Sequence, residues 1–110
     1  MTSTPKYHYY KIGSIGDVPI GERILLEIDG LPIAIFNIDG ELYALEDTCT
    51  HDNAPFGDGE LDGNKVICPR HGARFDVRTG KALSMPAINP VPIYPVRVID
   101  SIIEIGLPID

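Results

Sequence analysis

The sequence predicts an all-β, antiparallel fold, and three observations carry that prediction. Apolar and polar residues alternate with the two-residue period of half-buried sheet, tight-turn pairs interrupt the apolar runs at short intervals, and no stretch of ten residues has helical periodicity. β-branched residues dominate the runs, isoleucine above all, and they pack well on a pleated surface. Ten prolines in 110 residues work against helix as well, because proline removes a backbone donor and clashes with the preceding turn.

The elements follow in order. A first strand is expected near Tyr7 to Ile12. Glu22 to Ile28 is a second, stopped by Asp29-Gly30; Leu31 to Ile38 is a third, stopped by Asp39-Gly40; Glu41 to Leu45 is a fourth. Asp-Gly between two apolar runs signals a hairpin, because the tight two-residue turn needs positive φ at both central residues. The first 46 residues therefore read as a meander. Between Asp47 and Gly59 the alternation breaks and turn residues crowd in. Lys65 to Ile67 is a short strand leading into Cys68, and Ala73 to Val77 is its return, ended by Thr79-Gly80. Lys81 to Pro92 is proline-rich and irregular, and Tyr94 to Ile99 with Ile102 to Ile105 close the chain as a hairpin around Asp100-Ser101. The expected organisation is one domain, 1–110, in which an inserted subdomain of about residues 47–87 carries two long loops on a β-sandwich base.

Those loops hold the chemistry. The chain has two cysteines and three histidines, and both cysteines and two of the histidines fall in two paired clusters, Cys49-Thr50-His51 and Cys68-Pro69-Arg70-His71. Sixteen residues separate His51 from Cys68, enough for two loops to close on one centre from opposite sides. Two thiolates and two imidazoles form a closed four-ligand set. Two objects suit it: a [2Fe–2S] cluster with cysteines on one iron and histidines on the other, and a structural zinc. Zinc sites more often show Cys-x2–4-Cys or His-x3–5-His spacing than mixed Cys-x-His pairs. Neither centre has an open position for a substrate, so an enzyme acting alone is not expected.

The residues also match a family. Cys49-x-His51 followed by Cys68-x-x-His71 resembles the Rieske signature, and Cys68-Pro69-Arg70-His71-Gly72-Ala73-Arg74-Phe75-Asp76, with Thr79-Gly80 and Pro86 beyond it, is similar to the soluble Rieske ferredoxins that serve multicomponent aromatic-ring-hydroxylating dioxygenases. The likeness runs from about residue 7 to residue 106. It implies a Rieske-type β-sandwich with a cluster-binding subdomain, and one [2Fe–2S] cluster held by Cys49 and Cys68 on the inner iron and by His51 and His71 on the outer iron. Thr50, Pro69 and Gly72 would shape the loops, and Ser84-Met85-Pro86-Ala87 would be a third loop over the cluster. The implied function is one-electron transfer from an NAD(P)H-dependent reductase to a terminal oxygenase. Within the same chemistry, the small Rieske-like subunit of an assimilatory nitrite reductase is the alternative.

Two neutral imidazoles in place of two thiolates bring the oxidised cluster to zero formal charge, which eases addition of an electron. Rieske potentials accordingly lie at about −150 to +300 mV, above the roughly −400 mV of plant-type ferredoxins. High-potential members carry an extra disulfide and hydroxyl donors near the second ligand pair. The corresponding positions here are Ala54 and Arg70, then Ala73 and Phe75, none of which supplies either feature. The expected potential is therefore at the low end, near about −150 mV.

A formal net charge of −7 argues against nucleic acid or an anionic membrane as a partner, since both repel an acidic surface. Glu46, Asp47, Asp52, Asp58, Glu60 and Asp62 surround the first loop, either as solvated residues or as a face that steers basic redox partners. The resemblance places docking at the His51 and His71 loop tips, with Asn53, Pro55, Phe56 and Arg70 nearby. Phe56 is either a contact residue or a ring packed beneath its own loop. Arg70 and Arg74 have Asp52 and Asp76 as candidate ion-pair partners. No apolar run approaches the roughly 18 residues of a membrane-spanning helix, and Met1 to Lys6 lacks the apolar core of a signal peptide, so a cytoplasmic location is expected. His8, between two tyrosines, reads as an ordinary surface residue.

Overall fold

The Asp-Gly pairs fold as their chemistry requires. Asp29 and Gly30 take φ of 51° and 79°, and Asp39 and Gly40 take 54° and 94°. These turns join β2 (Arg23–Ile28), β3 (Leu31–Ile38) and β4 (Glu41–Glu46) in an antiparallel ladder that pairs Ile28 with Leu31 and Ile38 with Glu41. Asp100 and Ser101, at 51° and 67°, make the same turn at the far end of the chain. The computed structural model describes residues 6–48, 55–69, 72–84 and 89–109.

The remaining strands are β1 (Tyr7–Ser14), β5 (Glu60–Asp62), β6 (Lys65–Ile67), β7 (Arg74–Asp76), β8 (Ile93–Tyr94), β9 (Val96–Ile99) and β10 (Ile102–Pro108). They build three antiparallel sheets, ordered β1-β10-β9, β2-β3-β4-β8 and β5-β6-β7. The only helical segment among the described residues is a single 3-10 turn at Ile15–Asp17. No described helix is long and apolar enough to cross a membrane.

Four expectations need correction. The meander begins at β2, because β1 crosses to the other end of the chain and pairs with β10, Tyr7 opposite Pro108. The predicted strand Tyr94 to Ile99 is two strands in two sheets: β8 pairs with β4, β9 pairs with β10, and Pro95 lies at the break. Proline has no amide to donate, but its carbonyl accepts the Gly106 N–H at 2.9 Å. The stretch after Gly59 contains a further strand, β5, joined to β6 by a two-residue turn whose Gly63 has φ of 63°. Finally, β3 does not alternate between core and solvent, since Ile33 through Asn37 are all buried.

That last departure defines the architecture. Ile33 and Ile35 face one apolar cluster with Val18, Ile28, Ala44, Ile103 and Ile105, which fills the sandwich between the β2-β3-β4-β8 and β1-β10-β9 sheets. Ala34 and Phe36 face a second cluster with Leu45, Phe56, Val66, Cys68, Phe75, Val77 and Val91, against the small β5-β6-β7 sheet. The central sheet is therefore covered on both sides. In sequence the small sheet lies between β4 and β8, which are paired neighbours, so the chain leaves the sandwich and re-enters it at one place.

Candidate metal centre

Cys68 follows directly on β6 and is 1 % exposed, a free thiol within the second apolar cluster. Its amide donates to the Ala73 carbonyl at 2.7 Å, and the Gly72 amide returns to the Cys68 carbonyl at 2.9 Å. Gly72, at φ 73°, takes the left-handed conformation that lets the chain reverse so tightly. The β6–β7 hairpin therefore holds the cysteine by its backbone at both its N–H and its C=O. Ala73 and Phe75, both with no measurable exposure, wall it with apolar surface.

Of the four predicted ligands, Cys68 alone is described; Cys49, His51 and His71 lie outside the described residues, as do Thr50, Asp52, Asn53, Ala54, Arg70, Met85, Pro86 and Ala87. Among the described residues no group of three histidine, cysteine or acidic side chains is placed to hold a metal. The donor chemistry nonetheless fits an iron–sulfur cluster: a buried unpaired thiol, set in an apolar wall at the end of β6, with a Cys-x-His pair in the segment that follows β4 in the sequence.

That other segment leaves from β4 and comes back near Phe56. Phe56 has no exposure and its ring lies 5.1 Å, centroid to centroid, from that of Phe75. The reading of Phe56 as a docking contact is overturned; it packs beneath its loop, where such an aromatic pair adds about 0.5–1.5 kcal/mol beyond the area it buries. The acidic cluster around this loop also divides. Asp47 is 6 % exposed and accepts the amides of Phe56 and Gly57, so it belongs to the interior and not to a steering face. Glu46 is half-buried and accepts from the Tyr94 hydroxyl at 3.3 Å. Burial first, then the charge and hydrogen bond of Glu46, push the Tyr94 hydroxyl up to about 12. Arg74 pairs with Asp62 at 3.6 Å and not with Asp76, which bonds Arg78 at 3.2 Å.

The third segment is anchored from β7. Phe75 bridges Ala82, the Leu83 amide donates to the Arg74 carbonyl at 2.7 Å, and the Arg74 amide donates to Ser84 Oγ at 3.1 Å. Ser84, the first residue of the predicted proline loop, is thereby held on β7, the return strand of the hairpin that carries Cys68. Sequence reasoning missed Arg23 altogether, read Asp47 only as one of the acidic residues around the first loop, and read Gly80 only as part of a strand-ending turn and of the family motif. Gly80, at φ 77°, has no room for a side chain, because a Cβ there would lie 2.2 Å from the Val91 carbonyl oxygen.

Comparison with known proteins gives this arrangement its family. The Rieske [2Fe-2S] domain matches residues 8–95. The 3-phenylpropionate/cinnamic acid dioxygenase ferredoxin subunit of Shigella boydii is 48% identical over 96 residues, covering 86% of this chain and 89% of that protein. Among solved structures, the Sphingomonas yanoikuyae B1 ferredoxin superposes with a TM-score of 0.84 at 33% identity, covering 92% of this chain and 100% of that one. A chain from the complex of reduced oxygenase and oxidized ferredoxin in carbazole 1,9a-dioxygenase gives 0.84 at 32% identity, covering 89% and 92%. The chain belongs to the Rieske [2Fe–2S] family. It is a ferredoxin, an electron carrier with one [2Fe–2S] cluster and no catalytic function of its own, and that membership decides the choice between iron–sulfur and zinc left open by the ligand set.

Proposed function

We propose that this ferredoxin takes single electrons from an NAD(P)H-dependent reductase and delivers them to the terminal oxygenase of an aromatic-ring dioxygenase system. The observation that carries the reading is the 48% identity, over 86% of this chain, to a dioxygenase ferredoxin subunit. The same observation favours an oxygenase over nitrite reduction as the destination. When bound, the cluster supplies one reversible electron. The chain's own residues supply its setting: Cys49 and Cys68 as the thiolate ligands, His51 and His71 as the imidazole ligands, and a cluster-binding subdomain of about 47–87 within a single domain. The burial of Cys68 and the apolar wall of Ala73 and Phe75 support placing the cysteine-bound iron inward. The two histidines would then lie on the partner-facing side, and reductase and oxygenase would dock in turn at the loop tips. A cytoplasmic site of action goes with this reading, because a nicotinamide-fed reductase works where NAD(P)H is made.

Voltammetry of the purified protein tests the function. A reversible one-electron wave near about −150 mV is expected, and a wave near about +300 mV would point to quinol chemistry instead. The ligand set is tested alongside by iron and sulfide content: Cys49→Ser and His71→Ala are each expected to lose the cluster, since closed metal sites need every ligand. A brown, fully loaded His71→Ala protein would remove His71 from the set.

A further inference from the structure

The first ligand pair sits in a segment with two feet, one leaving β4 and one returning at Phe56. A single carboxylate ties them. Asp47 Oδ1 accepts the Phe56 amide at 2.8 Å and the Gly57 amide at 2.6 Å, across nine and ten residues of chain. The Asp47 amide in turn donates to the Pro32 carbonyl at 2.9 Å, so the carboxylate is itself anchored to β3. From the other side, the Arg23 guanidinium on β2 donates to the Gly57 carbonyl at 2.7 Å and to the Gly59 carbonyl, while it lies 5.2 Å from the Phe36 ring centroid. The Gly57 residue is thus held at its N–H by Asp47 and at its C=O by Arg23. A Cβ there would come within 2.5 Å of Leu25 Cδ2 and 3.0 Å of Asp47 Oδ1, so a side chain would press on the carboxylate that holds it.

We infer that Asp47 and Arg23 are positioning residues for the first ligand loop. They clamp its two feet at a fixed separation, so that positions 49 and 51 are presented to the same cluster as Cys68. The inference rests on the ligand assignment proposed above. Two amides converging on one buried oxygen fix its direction from both sides, which suits a clamp. Both amide bonds end on one oxygen, Oδ1, and an asparagine carbonyl can occupy that place. Hydrogen bonding and charge are therefore separable by substitution.

The test uses the cluster-loaded protein and its Asp47→Ala, Asp47→Asn and Arg23→Met variants. Two quantities are read: the rate at which the visible absorbance bleaches in excess EDTA, and the electron paramagnetic resonance spectrum of the reduced state. Asp47→Ala is expected to bleach about 10- to 100-fold faster, the scale on which residues that orient metal ligands act, and to shift the g-values. Asp47→Asn restores slow bleaching and the parental spectrum, and Arg23→Met bleaches faster than the parent. If Asp47→Ala melts at a lower temperature yet bleaches at the parental rate with the parental spectrum, its role is merely structural and the inference is overturned. Bleaching of Asp47→Asn as fast as that of Asp47→Ala would also overturn it, in favour of charge. Should Asp47→Ala not accumulate with cluster, Arg23→Met decides, and a parental rate there rejects the clamp. A parent without a Rieske spectrum fails the ligand assignment and the inference together; a parent with that spectrum and unresponsive variants fails the inference alone.

Discussion

Cys68 sits where single side chains decide what surrounds its sulfur. The thiol is buried, its amide is bonded to the Ala73 carbonyl, and the nearest chain after the turn offers only the methyl of Ala73 and the ring of Phe75. A hydroxyl donor beside the cluster would stabilise the more negative reduced state, and neither residue provides one. Ala73→Ser is therefore expected to raise the reduction potential above that of the parent, as read by voltammetry. An unchanged potential would mean that a donor at this position does not tune the cluster. Close packing makes its own demand a few residues away. A Cβ at Gly59 would lie 1.9 Å from the Ile67 carbonyl oxygen, on the strand that delivers Cys68. Gly59→Ala is expected to cost about 1–3 kcal/mol in chemical denaturation, with iron content reduced because the Cys68 hairpin must shift.

At the scale of elements, the junction between the sandwich and the small β5-β6-β7 sheet rests on β4 and β8. The Glu46 amide donates to the Pro92 carbonyl at 2.9 Å, and Tyr94 reaches across to the Glu46 carboxylate. The Tyr94 hydroxyl titrates near 12 in the folded chain against an ordinary 10.0, because burial and the adjacent carboxylate both disfavour the phenolate. A raised folded-state value stabilises the fold below the unfolded pKa, and that contribution is lost as pH climbs through the folded one. The stability difference between the parent and Tyr94→Phe should accordingly be constant up to pH 10.0 and shrink between there and about 12. Urea melts on either side of that window measure it. A difference undiminished above the window would mean that the raised value of the hydroxyl does not contribute to stability.

Over the whole molecule the net charge of −7 remains the long-range feature that a partner meets first. Asp47 is withdrawn from that surface and Asp62 is paired with Arg74, but Asp58 and Glu60 stay exposed on the rim of the first loop. Steering by such charges fades as salt shortens the screening length from about 10 Å at 0.1 M to about 3 Å at 1 M. Stopped-flow electron transfer from reductase to ferredoxin is expected to slow steadily over that range. A flat response would make the acidic rim ordinary solvated surface.

Much of this was legible in the chain. The Asp-Gly turns, the strands β2, β3 and β4 and the β6–β7 hairpin all follow from local rules, since turn conformation and strand period involve residues close in sequence. The sequence by itself therefore determined the all-β class and the family. The tertiary structure alone decided what depends on distant partners. It sent β1 to β10 instead of β2, divided one predicted strand at Pro95 between two sheets, and buried both faces of β3. It also turned Asp47 and Phe56 inward. Nothing in the stretch from Asp47 to Gly57 reveals that a carboxylate will meet two amides nine and ten residues away, because that contact forms only once β2 and β3 have brought Arg23 and Pro32 to the same place.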